Sequence, residues 1–263
     1  TATFSLRKLP AQDRVGTMPP SLTETAKRLS KTNPATLGSI LFALLPPEVR
    51  EGIVELESSL PCIGTYETPA VSVLEATSEE RIRTYRSLIR SSFAHRGSVL
   101  LLVPSAASVP LMIEALSSGI EDRVLTFAPT HTKKQLEKSY IGLKDLAHAK
   151  LIIATPTYSA LERHDITSII VEQSSSPYYK ANTRPYLDTR EVMSILARMT
   201  GRNIILGDIL PRTEDEYRRR EDFYTTEGAT PKRISLSGTL QRAEHVSDKT
   251  ASNHWELFTP EVT

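Results

Sequence analysis

Residues 168–191 read SIIVEQSSSPYYKANTRPYLDTRE, and the residue types change abruptly along them. An apolar run, Ile169-Ile170-Val171, ends in one acid, Glu172, followed by the amide of Gln173 and three serines. A single carboxylate there could still touch a metal ion. Gln173, next in line, has no basic carboxylate and cannot act as a general base. Beyond the serines lie Tyr178, Tyr179, Lys180, Arg184, Tyr186 and Arg190. Tyrosine faces stack on unpaired bases and Lys or Arg meets phosphates, a combination suited to single-stranded nucleic acid. The same residues also read as structure, with Tyr178 and Tyr186 anchoring a surface loop and Arg190 capping or pairing on a helix.

An alternation of strands and helices must position these groups. Short apolar runs at 71–74, 99–103, 124–127, 151–154, 168–171 and 203–206 are separated by helical patterns near 79–94, 108–118, 132–146 and 189–199. Continuous apolar runs signal strands buried on both faces, and their alternation with helices predicts an α/β domain with a mostly parallel sheet of about six strands. Ahead of it, Leu22, Ala26 and Leu29 share a helical face that Ser21 and Glu24 would open as a capping box. Leu37, Ile40, Leu41, Leu44 and Leu45 form a second apolar face closed by Pro46-Pro47. Residues 50–70, with Pro61, Gly64 and Pro69, read as a linker, and the stretch after Pro211 as a charged helix and a polar tail carrying Trp255 and Phe258.

The bulk numbers narrow the classes. In 263 residues, 39% hydrophobic and 24% charged, there is material for a sizeable core. A net charge of +1 leaves any anion binding to local patches. The single cysteine, Cys62, excludes an internal disulfide framework and a cysteine-based zinc cluster, and points to a reducing, cytoplasmic setting. Apolar runs such as 99–103 stop far short of a membrane span. The histidines show no metal-ligand spacing, and no metal site is expected.

The first strand runs into VLEATSEERIRTY, residues 73–85. A phosphate-binding loop, G-x-x-x-x-G-K-[ST], uses glycines to wrap phosphates in backbone N–H groups, a lysine for the β/γ-phosphates and a hydroxyl for magnesium. Glu75, Glu80, Arg81 and Ile82 occupy those four positions. Taken alone, this is a charged first helical turn.

With the flanking segments, the chain resembles the PriA family, bacterial replication-restart DNA helicases of superfamily 2. EATSEERI followed by Arg83-Thr84-Tyr85 meets the family's G-V-T-G-S-G-K-T and E-V-Y. RGSVLLLVPSAASVPLM (96–112) resembles R-G-K-Q-V-L-V-L-V-P-E-I-A-L-T-P-Q, and AKLIIATPT (149–157) resembles A-R-V-V-I-G-T-R-S. The opening stretch is similar to L-I-I-V-D-E-E-H-D-S-S-Y-K-Q with its following P-R-Y and A-R-D-V. ARMTGRNIILGDILPRTE (197–214) is similar to the segment ending G-S-A-T-P-S-x-E. ATLGSILFALLPPEVRE resembles the family's L-G-E-V-L-R-x-A-L-P-P ahead of the helicase core, and NHWELFTPEV (253–262) resembles N-W-S-L-L-S-P-E-L after the first lobe.

The resemblance, co-linear over residues 18–263, implies a RecA-like helicase lobe spanning 66–263. A helical leader, residues 1–65, would be the end of an N-terminal DNA-binding region plus a linker. The second lobe and the zinc insertion would lie outside this chain, which, beginning without Met, reads as a piece of a longer one. It also implies an impaired engine. The family's D-E-E-H becomes Glu172, Gln173, Ser174 and Ser175, and G-S-A-T-P becomes Gly207-Asp208-Ile209-Leu210-Pro211. Lysine, magnesium and water positioning act as a unit, so their joint loss predicts no useful ATPase. No cofactor is expected, with ATP and magnesium only if the degenerate site of Glu75, Glu80, Arg81, Ile82, Glu172 and Gln173 still binds them. The family's aromatic-rich loop contacts DNA, which assigns Tyr178, Tyr179, Lys180, Arg184, Tyr186 and Arg190 to DNA. Thr155 and Thr157 fall where the family touches the strand, with Pro156 in place of an arginine.

Three readings follow. The first is a DNA-binding factor of replication restart or primosome assembly, with forked or single-stranded DNA and primosome proteins as partners and no membrane. The second is an interaction scaffold retaining only the fold. The third is a helicase using substitute residues, with Glu172 and Arg81 as its support.

Overall fold

The computed structural model describes residues 18–54 and 71–228. The stretch before residue 18, most of the expected linker, the 65/66 boundary and the tail with Trp255 and Phe258 lie outside them. Each apolar run becomes a strand: β1 (Val71–Glu75), β2 (Ser98–Leu102), β3 (Val124–Phe127), β4 (Leu151–Ala154), β5 (Ile166–Glu172) and β6 (Asn203–Asp208). A two-residue strand, β7 (Thr225–Thr226), completes a seven-stranded sheet of order β3-β4-β2-β5-β6-β1-β7. Every pairing is parallel. The fold is thus α/β with a mostly parallel sheet flanked by helices, as the run pattern predicts.

Both faces of the strands are buried because successive side chains point to opposite sides. Ile169 and Val171 join one core with Leu100, Leu102, Ile204 and Leu206, under α6 (Lys133–Lys144) and α7 (Thr189–Thr200). Ile170 joins the other with Val99, Leu101 and Ile205, under α4 (Ser78–Ala94) and α5 (Ser108–Leu116). Full burial of each such side chain contributes about 1.5–3 kcal/mol. Gly201 ends α7 in the left-handed region, φ +68°, where glycine carries no Cβ penalty.

The leader is α1 (Pro20–Thr32), α2 (Leu37–Leu44) and the single turn α3 (Pro47–Arg50). Leu22, Ala26, Leu29, Ile40 and Leu44 pack on Ala160, Leu187 and Val192, so the leader sits against α7. Ser21 does not cap α1, contrary to the capping-box expectation. Pro19 is the cap residue, and the Ser21 hydroxyl donates instead to buried Glu162 at 3.0 Å. Glu48 of α3 accepts from the hydroxyls of Tyr140 (3.2 Å) and Tyr158 (3.1 Å). The basic run after Pro211 forms α8 (Thr213–Arg220), and no helix among the described residues is long and apolar enough to cross a membrane.

Parallel pairing puts all carboxyl ends at one edge, and β6 lies between β1 and β5. Glu75, Glu172 and Asp208 therefore end neighbouring strands.

Candidate functional site

Only Ala76 and Thr77 separate β1 from α4. A connection this short cannot encircle a phosphate, because the helix begins inside the stretch where the loop would be. The start of α4 is closed by its own side chains. Thr77 Oγ1 accepts from the Glu80 N–H (3.4 Å), and the Glu80 carboxylate accepts from the Thr77 N–H (3.0 Å) and hydroxyl (2.8 Å). These Thr77 donors hold the Glu80 carboxyl below its usual range. The anion that a helix N-terminus attracts is therefore supplied by residue 80 itself.

Arg81 and Glu172 are both buried and bonded to each other. Arg81 Nε donates to one carboxylate oxygen at 3.0 Å and Nη2 to the other at 2.6 Å, while Nη1 donates to the Ala76 carbonyl at 2.8 Å. Tyr85 donates to Glu172 at 2.7 Å. A Cβ on Gly207 would lie 1.8 Å from that tyrosine oxygen, so the glycine makes room for the ring. Glu75 pairs with Arg219 at 3.2 Å. Asp208 accepts from the Ser175 and Ile209 amides, both at 2.7 Å. Gln173 is exposed, with φ +51°. Ile82, partly buried, packs on the α4–α5 core, so it presents no metal ligand. The structure thus brings the expected nucleotide-site residues together but engages Glu75, Glu80, Arg81 and Glu172 with the protein itself.

The hydroxyl of Tyr179 extends this network. It donates to the carbonyls of Glu172 (2.7 Å) and Leu102 (3.0 Å), tying the aromatic loop to the sheet edge. Burial, and secondarily the Glu172 charge, push the Tyr85 and Tyr179 hydroxyls well above the ordinary tyrosine range. Burial and Glu48 do the same to Tyr140 and Tyr158. The folded chain holds these protons where the unfolded chain releases them. Their contribution is complete below about pH 10 and is lost as pH rises beyond it, by about 1.4 kcal/mol per tyrosine per unit. Melting temperature is expected to fall steeply between about pH 10 and 11; a flat profile there would contradict the network.

Above this base, residues 180–188 form a small hairpin. Lys180 bridges Asp188, and the Ala181 N–H donates to Leu187 at 2.8 Å. Arg212 braces it through Asp188 (2.8 Å) and the Ser176 carbonyl (3.0 Å). The hairpin displays Tyr186, and Tyr178 stands exposed before it, at 60% and 69%. Lys180 and Arg184 are exposed as well.

A groove of about 710 Å³ joins Tyr178, Lys180 and Arg184 to the leader, while Tyr186 lies outside its lining. Thr157 lines it as well, and the leader contributes Phe42 and Arg50. Its lining holds three cations and no carboxylate. Among the described residues none of the three cations makes an ion pair.

Three residues assigned to DNA from sequence need correction. Tyr179 is fully buried as the loop's anchor, Arg190 is buried against Asp215, and Thr155 is buried behind the strand end. None of the three lines the groove beside the tyrosine loop. Phe42 and Arg50 were not singled out from sequence; the only signal was an aromatic inside an apolar run, which reads as core.

No family model matches the chain. Over 203 residues it is 24% identical to the replication restart protein PriA of Helicobacter pylori, an alignment covering 72% of this chain and 32% of that protein. The chain spans about a third of that relative's length. Among solved structures, it is similar to the C-terminal domain of S. cerevisiae Dbp5 bound to Gle1 and IP6, at 10% identity and a TM-score of 0.43, over 61% of this chain and 90% of that one. It is also similar to S. tokodaii Xpd4, at 14% identity and a TM-score of 0.30, over 65% and 42% of the two chains. The sequence similarity is thus a distant one, to PriA.

Proposed function

We propose that this PriA-like chain is a DNA-binding factor of replication restart or primosome assembly that has lost ATP hydrolysis and unwinding. The observation that carries the reading is the groove beneath the tyrosine loop, with exposed aromatic faces, three cations and no carboxylate. Such a lining attracts a polyanion whose bases are free to stack. The loss of hydrolysis is supported by the two-residue β1–α4 connection and by the Arg81–Glu172 pair. The two residues on which a substitute helicase mechanism would depend are bonded to each other, leaving neither for phosphate nor metal.

The test is a titration of labelled forked and single-stranded DNA at low salt, with and without ATP and magnesium. Binding is expected to weaken steeply with salt and to be unchanged by nucleotide. Tyr178→Ala and Tyr186→Ala should each cost about 1–3 kcal/mol of affinity. Absence of binding at low salt, or DNA-stimulated phosphate release, would overturn the reading.

A further inference from the structure

The leader supplies part of the groove's lining. In α2, Ile40 and Leu44 turn inward to the core shared with α7. Phe42 lies two residues from each, about 200° around the helix, and is 61% exposed. The ring is not part of the core, yet it lines the same groove as Tyr178. The Arg50 guanidinium stacks over it, 4.5 Å from the ring centre. The neighbouring acid, Glu48, is turned away to the hydroxyls of Tyr140 and Tyr158, and Glu51 is not part of the lining. Arg50 therefore lines the groove as a cation with no ion-pair partner among the described residues, stacked on an aromatic ring.

We propose that α2 and α3 form half of a single-strand DNA site, with Phe42 a second stacking face and Arg50 a phosphate contact. The inference rests on the reading of this groove as a nucleic-acid site. Two aromatic faces in one groove stack only on unpaired bases, since a duplex keeps its base faces stacked inside. The cations contact the backbone, which carries no sequence information, so binding is tolerant of sequence. The leader thus strengthens the preference for single strands that the tyrosine loop already favours.

The experiment compares the full chain with Phe42→Ala, Phe42→Leu and Arg50→Ala, using single-stranded DNA and blunt duplex of equal length. Circular dichroism melts accompany each variant. Both Phe42 variants are expected to bind the single strand roughly 5- to 100-fold more weakly and the duplex unchanged. Phe42→Leu keeps apolar bulk without a ring face, so it separates stacking from packing. Arg50→Ala should lower the slope of log affinity against log salt by about 0.7 for the single strand. If the unsubstituted chain binds single strands and Tyr178→Ala weakens that binding while the Phe42 and Arg50 variants do not, this inference fails and the proposed function stands. Equal weakening toward single strand and duplex also overturns it. No DNA binding by the unsubstituted chain would remove both.

Discussion

Glu172→Ala is expected to cost about 3–5 kcal/mol of folding stability, the range for removing one partner of a buried ion pair. The loss has two named parts. Among the described residues, the Arg81 guanidinium would keep only the Ala76 carbonyl as partner, and the Tyr85 hydroxyl would lose its only acceptor. Urea denaturation measures it as a lower midpoint. A charge removed with its partner behaves differently, because desolvation no longer opposes burial. Arg81→Met, Glu172→Leu and Tyr85→Phe combined should therefore recover most of what Glu172→Ala loses. A loss below about 1 kcal/mol for Glu172→Ala would mean that the site is hydrated and open, and the argument that nucleotide is excluded would go with it.

Gly207→Ala probes the same place from the opposite strand. The added Cβ would meet Tyr85 Oη at 1.8 Å, Tyr85 Cζ at 3.1 Å and Arg81 Cδ at 3.2 Å. Tyr85 cannot retreat, being fully buried with its hydroxyl held at 2.7 Å by Glu172. Overpacking of this kind costs 1–3 kcal/mol and occasionally more, and a rigid ring on one side and an ion pair on the other put the expectation near 3. Tyr85→Phe removes the nearest atom. The double variant should be less destabilised than the sum of the two single ones, by about 1 kcal/mol or more. Strict additivity would show that the ring and the glycine are not in contact.

The sheet was legible because strands covered on both faces read as nearly continuous apolar runs, and six such runs stand out. β7 has no such signature: Thr225 and Thr226 are held by pairing with β1 rather than by burial. Side-chain roles were less legible than elements. Tyr178 and Tyr179 are adjacent and chemically identical, yet one is 69% exposed and the other fully buried. A single 3-10 turn at Pro177–Tyr179 decides between them, and no periodicity encodes it. Ser21 and Arg190 were misread for another reason. Their partners, Glu162 and Asp215, are 141 and 25 residues away, and local pattern cannot supply them. Phe42 was hidden among Ile40, Leu41 and Leu44, because exposure on a short helix depends on which face meets α7.

The two residues between β1 and α4 also constrain how this chain can change over time. Each residue added there would turn α4 by about 100°, carrying Arg81, Tyr85 and Ile89 off the core they now fit. A nucleotide site here would need an insertion, a lysine and an acid pair to arrive together. Each one alone leaves a stranded charge or a misphased helix. Point mutation supplies such changes singly, and each single step lowers stability before it gains anything. On the proposed reading, loss of the engine is therefore self-locking, and lineages carrying this turn are expected to diversify at the groove instead of at the sheet edge.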